Sequence, residues 1–140
     1  MECDPMKVAG FGFRRAASLA SLRCALAAAG GAQGIGILAT LAPKICSPAF
    51  MALAEELGLP ICPIGADMLP SLTTPTVSDR IMRRFGTGSI AEATALAAAG
   101  QGASLLVSRV VSSDGMATAA IAERTVPDMA KNVTQKDITA

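Results

Sequence analysis

What most constrains this chain is the alternation of short apolar runs with capped helical segments. Residues 7–13 (KVAGFGF), Ile35–Leu41 (IGILATL) and Ile61–Ile64 (ICPI) are brief, apolar and bounded by Gly or Pro, as buried strands are. Between them, Ser18 opens a helix with Leu19, Leu22 and Leu26 at helical spacing, closed by Gly30-Gly31. Ser47-Pro48 is an N-cap followed by Pro at the first helical position, and that helix runs to Leu57 before Gly58. Residues 67–72 read as a turn of helix and 73–75 as a polar loop. Thr76 or Ser78 then caps a helix through Arg84 that stops at Gly86. Ser89-x-x-Glu92 is a capping box. The Ser hydroxyl should accept a backbone N–H and the Glu carboxylate should reach back to the cap, opening an Ala-rich helix to Gly100. Residues 105–111 and 116–122 form two last strands, joined by Ser113-Asp114-Gly115, which suits a tight hairpin.

The resulting order is β-α-β-α-β-α-α-β-β. It predicts an α/β fold: a single three-layer domain with a mostly parallel sheet, helices on both faces and a C-terminal antiparallel hairpin. Residues 7–124 make the domain; residues 1–6 and 127–140 lack pattern and are expected as flexible tails.

Composition removes several functions. Of the 140 residues 28 are Ala, so the core must be built from small side chains. With no Trp or Tyr and four Phe, the chain has little to stack on bases, and a net charge of +1 supplies no basic face for phosphates. No nucleic-acid partner is expected. The absence of His removes the commonest general base, the commonest metal ligand and every Ser-His or Cys-His arrangement. Cys3, Cys24, Cys46 and Cys62 lack zinc-site spacing, so no metal is predicted, and they read as buried free thiols. Residues 24–43 carry no charge over a membrane-spanning length. Gly30, Gly31, Gly34 and Gly36 break that stretch into helix, turn and strand. The expectation is a soluble cytoplasmic protein without a membrane partner.

Candidate chemistry sits at loop tips. Gly10-Phe11-Gly12-Phe13-Arg14-Arg15 follows the first strand. The two glycines permit close backbone approach, and the two Arg offer planar forks for carboxylate or phosphate. Arg15 stands where a dinucleotide fingerprint needs its third Gly, which argues against that cofactor; no cofactor is predicted. Thr40 and Lys44 lie at the C-terminal end of the second strand, the edge where open parallel sheets bind ligands. Gly86-Thr87-Gly88-Ser89 leads into a helix whose free N–H groups favour anions. Arg80, Arg83 and Arg84 share one helical face, usually a solvated one. Such groups hold a polyanion well and transfer protons poorly near neutral pH.

Taken in order, the motifs resemble a known family. Gly10-Phe11-Gly12 with Arg14-Arg15, Leu41-Ala42-Pro43-Lys44, Ser78, Gly86, Ser89-Ile90-Ala91-Glu92-Ala93, Leu106-Val107-x-Arg109 and residues 117–122 (ATAAIA) are similar in order and spacing to the C-terminal domain of the cobalamin-biosynthesis protein CbiG. That domain also exists alone as CobE. Two positions depart from the family pattern: Phe13 stands where Cys is usual, and Arg109 stands where Lys is usual. The resemblance implies a role in vitamin B12 synthesis and a precorrin or corrinoid tetrapyrrole as ligand. In the family, the longer protein opens a ring lactone of a cobalt-precorrin. The likeness here covers only the C-terminal part, so that reaction is not expected of these residues. The leading expectation is a carrier or accessory module whose ligand-binding residues are Gly10, Gly12, Arg14, Arg15, Thr40, Lys44, Ser78, Gly86, Ser89 and Glu92. The alternatives are a precorrin-modifying hydrolase or isomerase, or an adaptor for another enzyme of the pathway.

Overall fold

Local signals place most of the secondary structure. In the computed structural model, which describes residues 6–71, 74, 77–85, 89–100 and 102–124, strand β1 spans Met6–Phe13, helix α1 Leu19–Ala28 and strand β2 Ile35–Leu41. A 3-10 turn, Ala42–Cys46, precedes α2, Pro48–Leu57. Strand β3 is Ile61–Ile64, and a second 3-10 turn, Ala66–Ser71, follows it. Helices α3, Asp79–Phe85, and α4, Ile90–Ala99, lead to β4, Ser104–Val111, and β5, Ala117–Arg124. Ser18 caps α1 in a full capping box with Ser21, and Ser47 caps α2 ahead of Pro48. Gly58 ends α2 in the left-handed region (φ 69°), which a side chain would resist. Met6, expected in the N-terminal tail, is instead the first residue of β1. The rest of that tail (1–5), the expected tail 127–140, the proposed cap Thr76, Cys3 and Gly86 lie outside the described residues.

The five strands form one sheet in the order β3-β2-β1-β5-β4. The β1/β2 and β2/β3 pairs are parallel, and β5 runs antiparallel to both β1 and β4. The sheet is therefore mixed, not mostly parallel. The hairpin does not add to an edge as two new strands would. Its second strand slots against β1, and its first takes the edge. A crossover to a parallel strand is right-handed in nearly all proteins. The connections leading outward to β3 thus put α1 and α2 on one face, and the return to β4 puts α4 on the other.

Each face has its own core. Ala9, Phe11, Leu38 and Ile121 pack under Leu22, Leu26, Phe50 and Leu53 of α1 and α2. Phe50 meets Phe11 edge-on (centroids 5.7 Å apart) and stacks on Phe13 (5.6 Å). On the other face Val8, Ala39, Leu41, Ile64 and Ala122 pack against Ala93, Ala95 and Ala99 of α4. This second core consists mostly of small residues because α4 lies almost on the sheet. A Cβ built on Gly10 would stand 2.2 Å from the Ala91 carbonyl oxygen and 2.6 Å from the Ala95 nitrogen. Gly10 and the Ala run of α4 are thus one packing device. Close helix-to-sheet contact is where the chain's Ala content is spent.

Among the described residues, no helix is long and apolar enough to cross a membrane, and no group of His, Cys, Asp or Glu can hold a metal ion. The uncharged stretch 24–43 is the end of α1, a Gly turn and β2. Cys24, Cys46 and Cys62 are free thiols, but they are not buried: Cys46 is exposed and the other two are half-buried, because each sits at an element's outer surface or end.

Candidate functional site

Strands β1 to β4 share one direction, so their C-terminal ends and the start of β5 meet at a single sheet edge. Here the chain order reverses, outward to β3 and back past β1, which makes this edge a switch point where open α/β sheets bind ligands. A cleft of about 620 Å³ opens there, within the range of small-molecule sites. Gly12, Arg14, Arg15, Thr40, Lys44, Ser78 and Ser89 line it together with Phe13, Leu41, Ile81, Ile90, Arg109, Val111 and the hairpin residues Gly115 to Thr118.

Each wall has a local cause. The Arg14 N–H donates to the Met116 carbonyl (2.9 Å), and the Ala17 N–H turns back to the Arg14 carbonyl (3.0 Å). Both Arg14 and Arg15 are thereby left exposed at the mouth. Pro43 starts the 3-10 turn that carries Lys44 back over β1. The Lys44 ammonium donates to the Phe13 carbonyl (3.0 Å) and lies 5.1 Å from the Phe13 ring centroid. Thr40, fully buried, donates its hydroxyl to the Phe11 carbonyl (2.8 Å), and Thr118 donates to the Gly12 carbonyl (3.0 Å). These two hydroxyls fix the end of β1 from both sides. Ser78 accepts from the Ile81 N–H (3.5 Å), and Ser89 accepts from the Glu92 N–H (3.3 Å).

The hairpin that forms the far wall is tied to α1. The Asp114 carboxylate accepts from the Ser112 hydroxyl (2.5 Å), the Ser21 hydroxyl (2.5 Å) and the Met116 N–H (3.0 Å). These bonds, that from Ser112 foremost, hold the Asp114 carboxyl below the usual carboxylate range. Beside it, hydrogen bonds from the Ser113 hydroxyl and N–H (3.2 Å for the latter) lower the Cys24 thiol pKa.

The structure brings together seven of the expected ligand-binding residues and separates two. Gly10 faces the α4 backbone, not the cleft: the close approach it permits is that of a helix. Glu92 is fully buried and does not line the cleft. The Ser89 half of the capping box forms, whereas the Glu92 carboxylate reaches across to accept the Arg109 N–H at 2.7 Å. Of the three Arg expected on one helical face, Arg83 is exposed on α3, and the side chains of Arg80 and Arg84 lie outside those described. Arg109, which the sequence offered only as part of the family resemblance, and the hairpin tip line the cleft without having been among the expected ligand-binding residues. Arg109 is the sole charge within the apolar run Ser104–Val111, and that isolation was the available signal.

The cobalamin synthesis G C-terminus family matches residues 7–122. The chain belongs to this family. Among solved structures, CobE from the cobalamin (vitamin B12) biosynthetic pathway is 29% identical with a TM-score of 0.74, covering 91% of this chain and 96% of its own. The cobalamin biosynthesis protein chiG of Agrobacterium tumefaciens is 31% identical with a TM-score of 0.62, covering 84% of this chain and 97% of its own. A cobalamin biosynthesis protein G homolog from Sulfolobus solfataricus shares the fold at 16% identity and a TM-score of 0.63, the match covering 84% of this chain and 36% of that one. No curated protein matches at a significant level. As a CobE/CbiG C-terminal domain, the chain is a protein of cobalamin biosynthesis.

Proposed function

We propose that this family member binds a carboxylate-rimmed tetrapyrrole intermediate of cobalamin synthesis in the switch-point cleft and acts as a carrier or accessory module. The observation that carries the reading is the convergence of Arg14, Arg15, Lys44 and Arg109 on one cleft with an apolar lining. Precorrins and corrinoids are broad apolar rings edged with acetate and propionate groups. Phe13, Leu41, Ile81, Ile90, Val111 and Met116 offer surface to such a ring, and a guanidinium matches a carboxylate in a two-bond fork. The hydroxyls of Ser78 and Ser89 add hydrogen bonds at the rim. None of the described groups at the cleft is a carboxylate or imidazole placed to move a proton, which favours holding the ligand over transforming it.

The site belongs to a protein at work among other pathway enzymes in the cytoplasm, to which the ligand would be passed. The test is to mix purified protein with coloured tetrapyrrole intermediates and follow absorbance through a desalting column. Co-elution of the pigment at unchanged mass supports a carrier. A changed product mass supports a precorrin-modifying enzyme, and no co-elution of any intermediate removes the reading.

A further inference from the structure

The β4/β5 ladder is out of step where β4 meets the cleft. Val107 pairs with Ile121 and Val110 with Ala119, so Ser108 and Arg109 together stand opposite the single residue Ala120. That is a β-bulge, which leaves one residue outside the ladder and re-aims a side chain. The N–H of Arg109 is not left to solvent. It is taken at 2.7 Å by the carboxylate of Glu92, which belongs to the other layer of the fold, in the first turn of α4. Glu92 is fully buried, and a buried carboxylate is costly unless its oxygens are engaged. Arg109 itself is half-buried and lines the cleft, whereas Glu92 does not.

We propose that Glu92 is a positioning residue for ligand recognition: by holding the bulged backbone of β4 it presents the Arg109 guanidinium to one carboxylate arm of the tetrapyrrole. The inference rests on the reading of the cleft given above. Without a carboxylate or amide oxygen at position 92, the bulge loses the acceptor that favours it over regular pairing. A shift of one residue would turn the Arg109 side chain to the other face of the sheet. At 2.7 Å the bond from the main-chain N–H to the Glu92 oxygen is at the short end of N–H···O bonds, as suits fixing a backbone.

A double-mutant cycle on the full chain tests this, with cobyrinic acid as probe and its methyl ester as the uncharged control. Arg109→Ala should weaken binding of the acid about tenfold or more, the loss expected for one desolvated charged hydrogen bond. Glu92→Ala should weaken it by a similar factor alone and by nothing further in the Arg109→Ala background. Glu92→Gln keeps an acceptor oxygen and should bind within about threefold of the unsubstituted protein. A Glu92→Ala loss that persists undiminished without Arg109, or a Glu92→Gln loss as large as that of Glu92→Ala, overturns the proposal. Should Glu92→Ala fail to fold, the Glu92→Gln and Arg109→Ala variants still decide it. Amide exchange adds a readout that needs no ligand: the Arg109 N–H should exchange slowly although β4 is an edge strand, and fast exchange overturns the proposal. Slow exchange with no binding of the acid by the unsubstituted protein instead removes the reading of the cleft, and with it the recognition role of Glu92, leaving a purely structural contact.

Discussion

Gly10→Ala tests the packing that sets the cleft's back wall. The added methyl would lie 2.2 Å from the Ala91 carbonyl oxygen, 2.6 Å from the Ala95 nitrogen and 2.8 Å from the Ala95 Cβ. Two of these three atoms are main chain, so no rotamer change relieves the clash. Either α4 moves outward by about 1 Å or β1 buckles. A gap of that size forfeits about a quarter to a half of each dispersion contact along its length, which here means the contacts of Ala93, Ala95 and Ala99 with Val8, Ala39 and Ala122. Overpacking of well-filled cores costs about 1–3 kcal/mol, and clashes against backbone belong at the upper end, near ~3 kcal/mol. With a urea m-value of about 1–3 kcal/mol/M, the unfolding midpoint should fall by about 1–3 M at unchanged slope. Gly36→Ala is the control. Its Cβ would meet nothing nearer than the Lys7 carbonyl oxygen at 3.9 Å, on an exposed position of β2. It should leave stability unchanged or raise it by up to ~1 kcal/mol. If Gly10→Ala shifts the midpoint no more than Gly36→Ala does, α4 does not sit on β1 as described.

Further outcomes follow from the same geometry. Ser47→Ala removes the oxygen that accepts from the Phe50 N–H and should cost about 1 kcal/mol by chemical denaturation. Phe50→Ala empties the space between Phe11 and Phe13 and should cost about 3–5 kcal/mol, with loss of the near-ultraviolet signal of the packed rings. The Asp114 carboxyl titrates below its unfolded value, so its stabilising effect is present above the ordinary Asp pKa and is lost as pH falls through the depressed folded value. Unfolding melts across that acid range should show a shallower decline for Asp114→Asn than for the unsubstituted chain; parallel curves would refute the assignment.

Features set by neighbouring residues were legible in the sequence. Ser18, Ser47-Pro48 and Gly58 bound their helices as read, because a cap is satisfied within a few residues of itself. The convergence of Arg14, Lys44 and Ser89 followed from strand direction, since loops at like ends of parallel strands must meet. What eluded the sequence was non-local. Nothing within residues 104–124 says that β5 will slot against β1 and push β4 to the edge. Glu92 satisfied a local motif, yet its carboxylate is drawn 17 residues onward to a bulge that exists only in the assembled sheet. Gly10 was the subtler case: a glycine that admits a close neighbour does not announce whether the neighbour is a ligand or a helix. The Ala run of residues 91–99 was the complementary half of that signal.

Titration of the full chain with cobyrinic acid, followed by its absorbance in parallel with the methyl ester, tests the central claim most directly. The account predicts saturable binding of the acid and little of the ester. The affinity should fall as salt rises and drop about tenfold when Arg14 and Arg15 are both replaced by Ala, about 0.7 kcal/mol for each exposed pair. Equal binding of acid and ester, or affinity for the acid that is indifferent to both arginines, would contradict it.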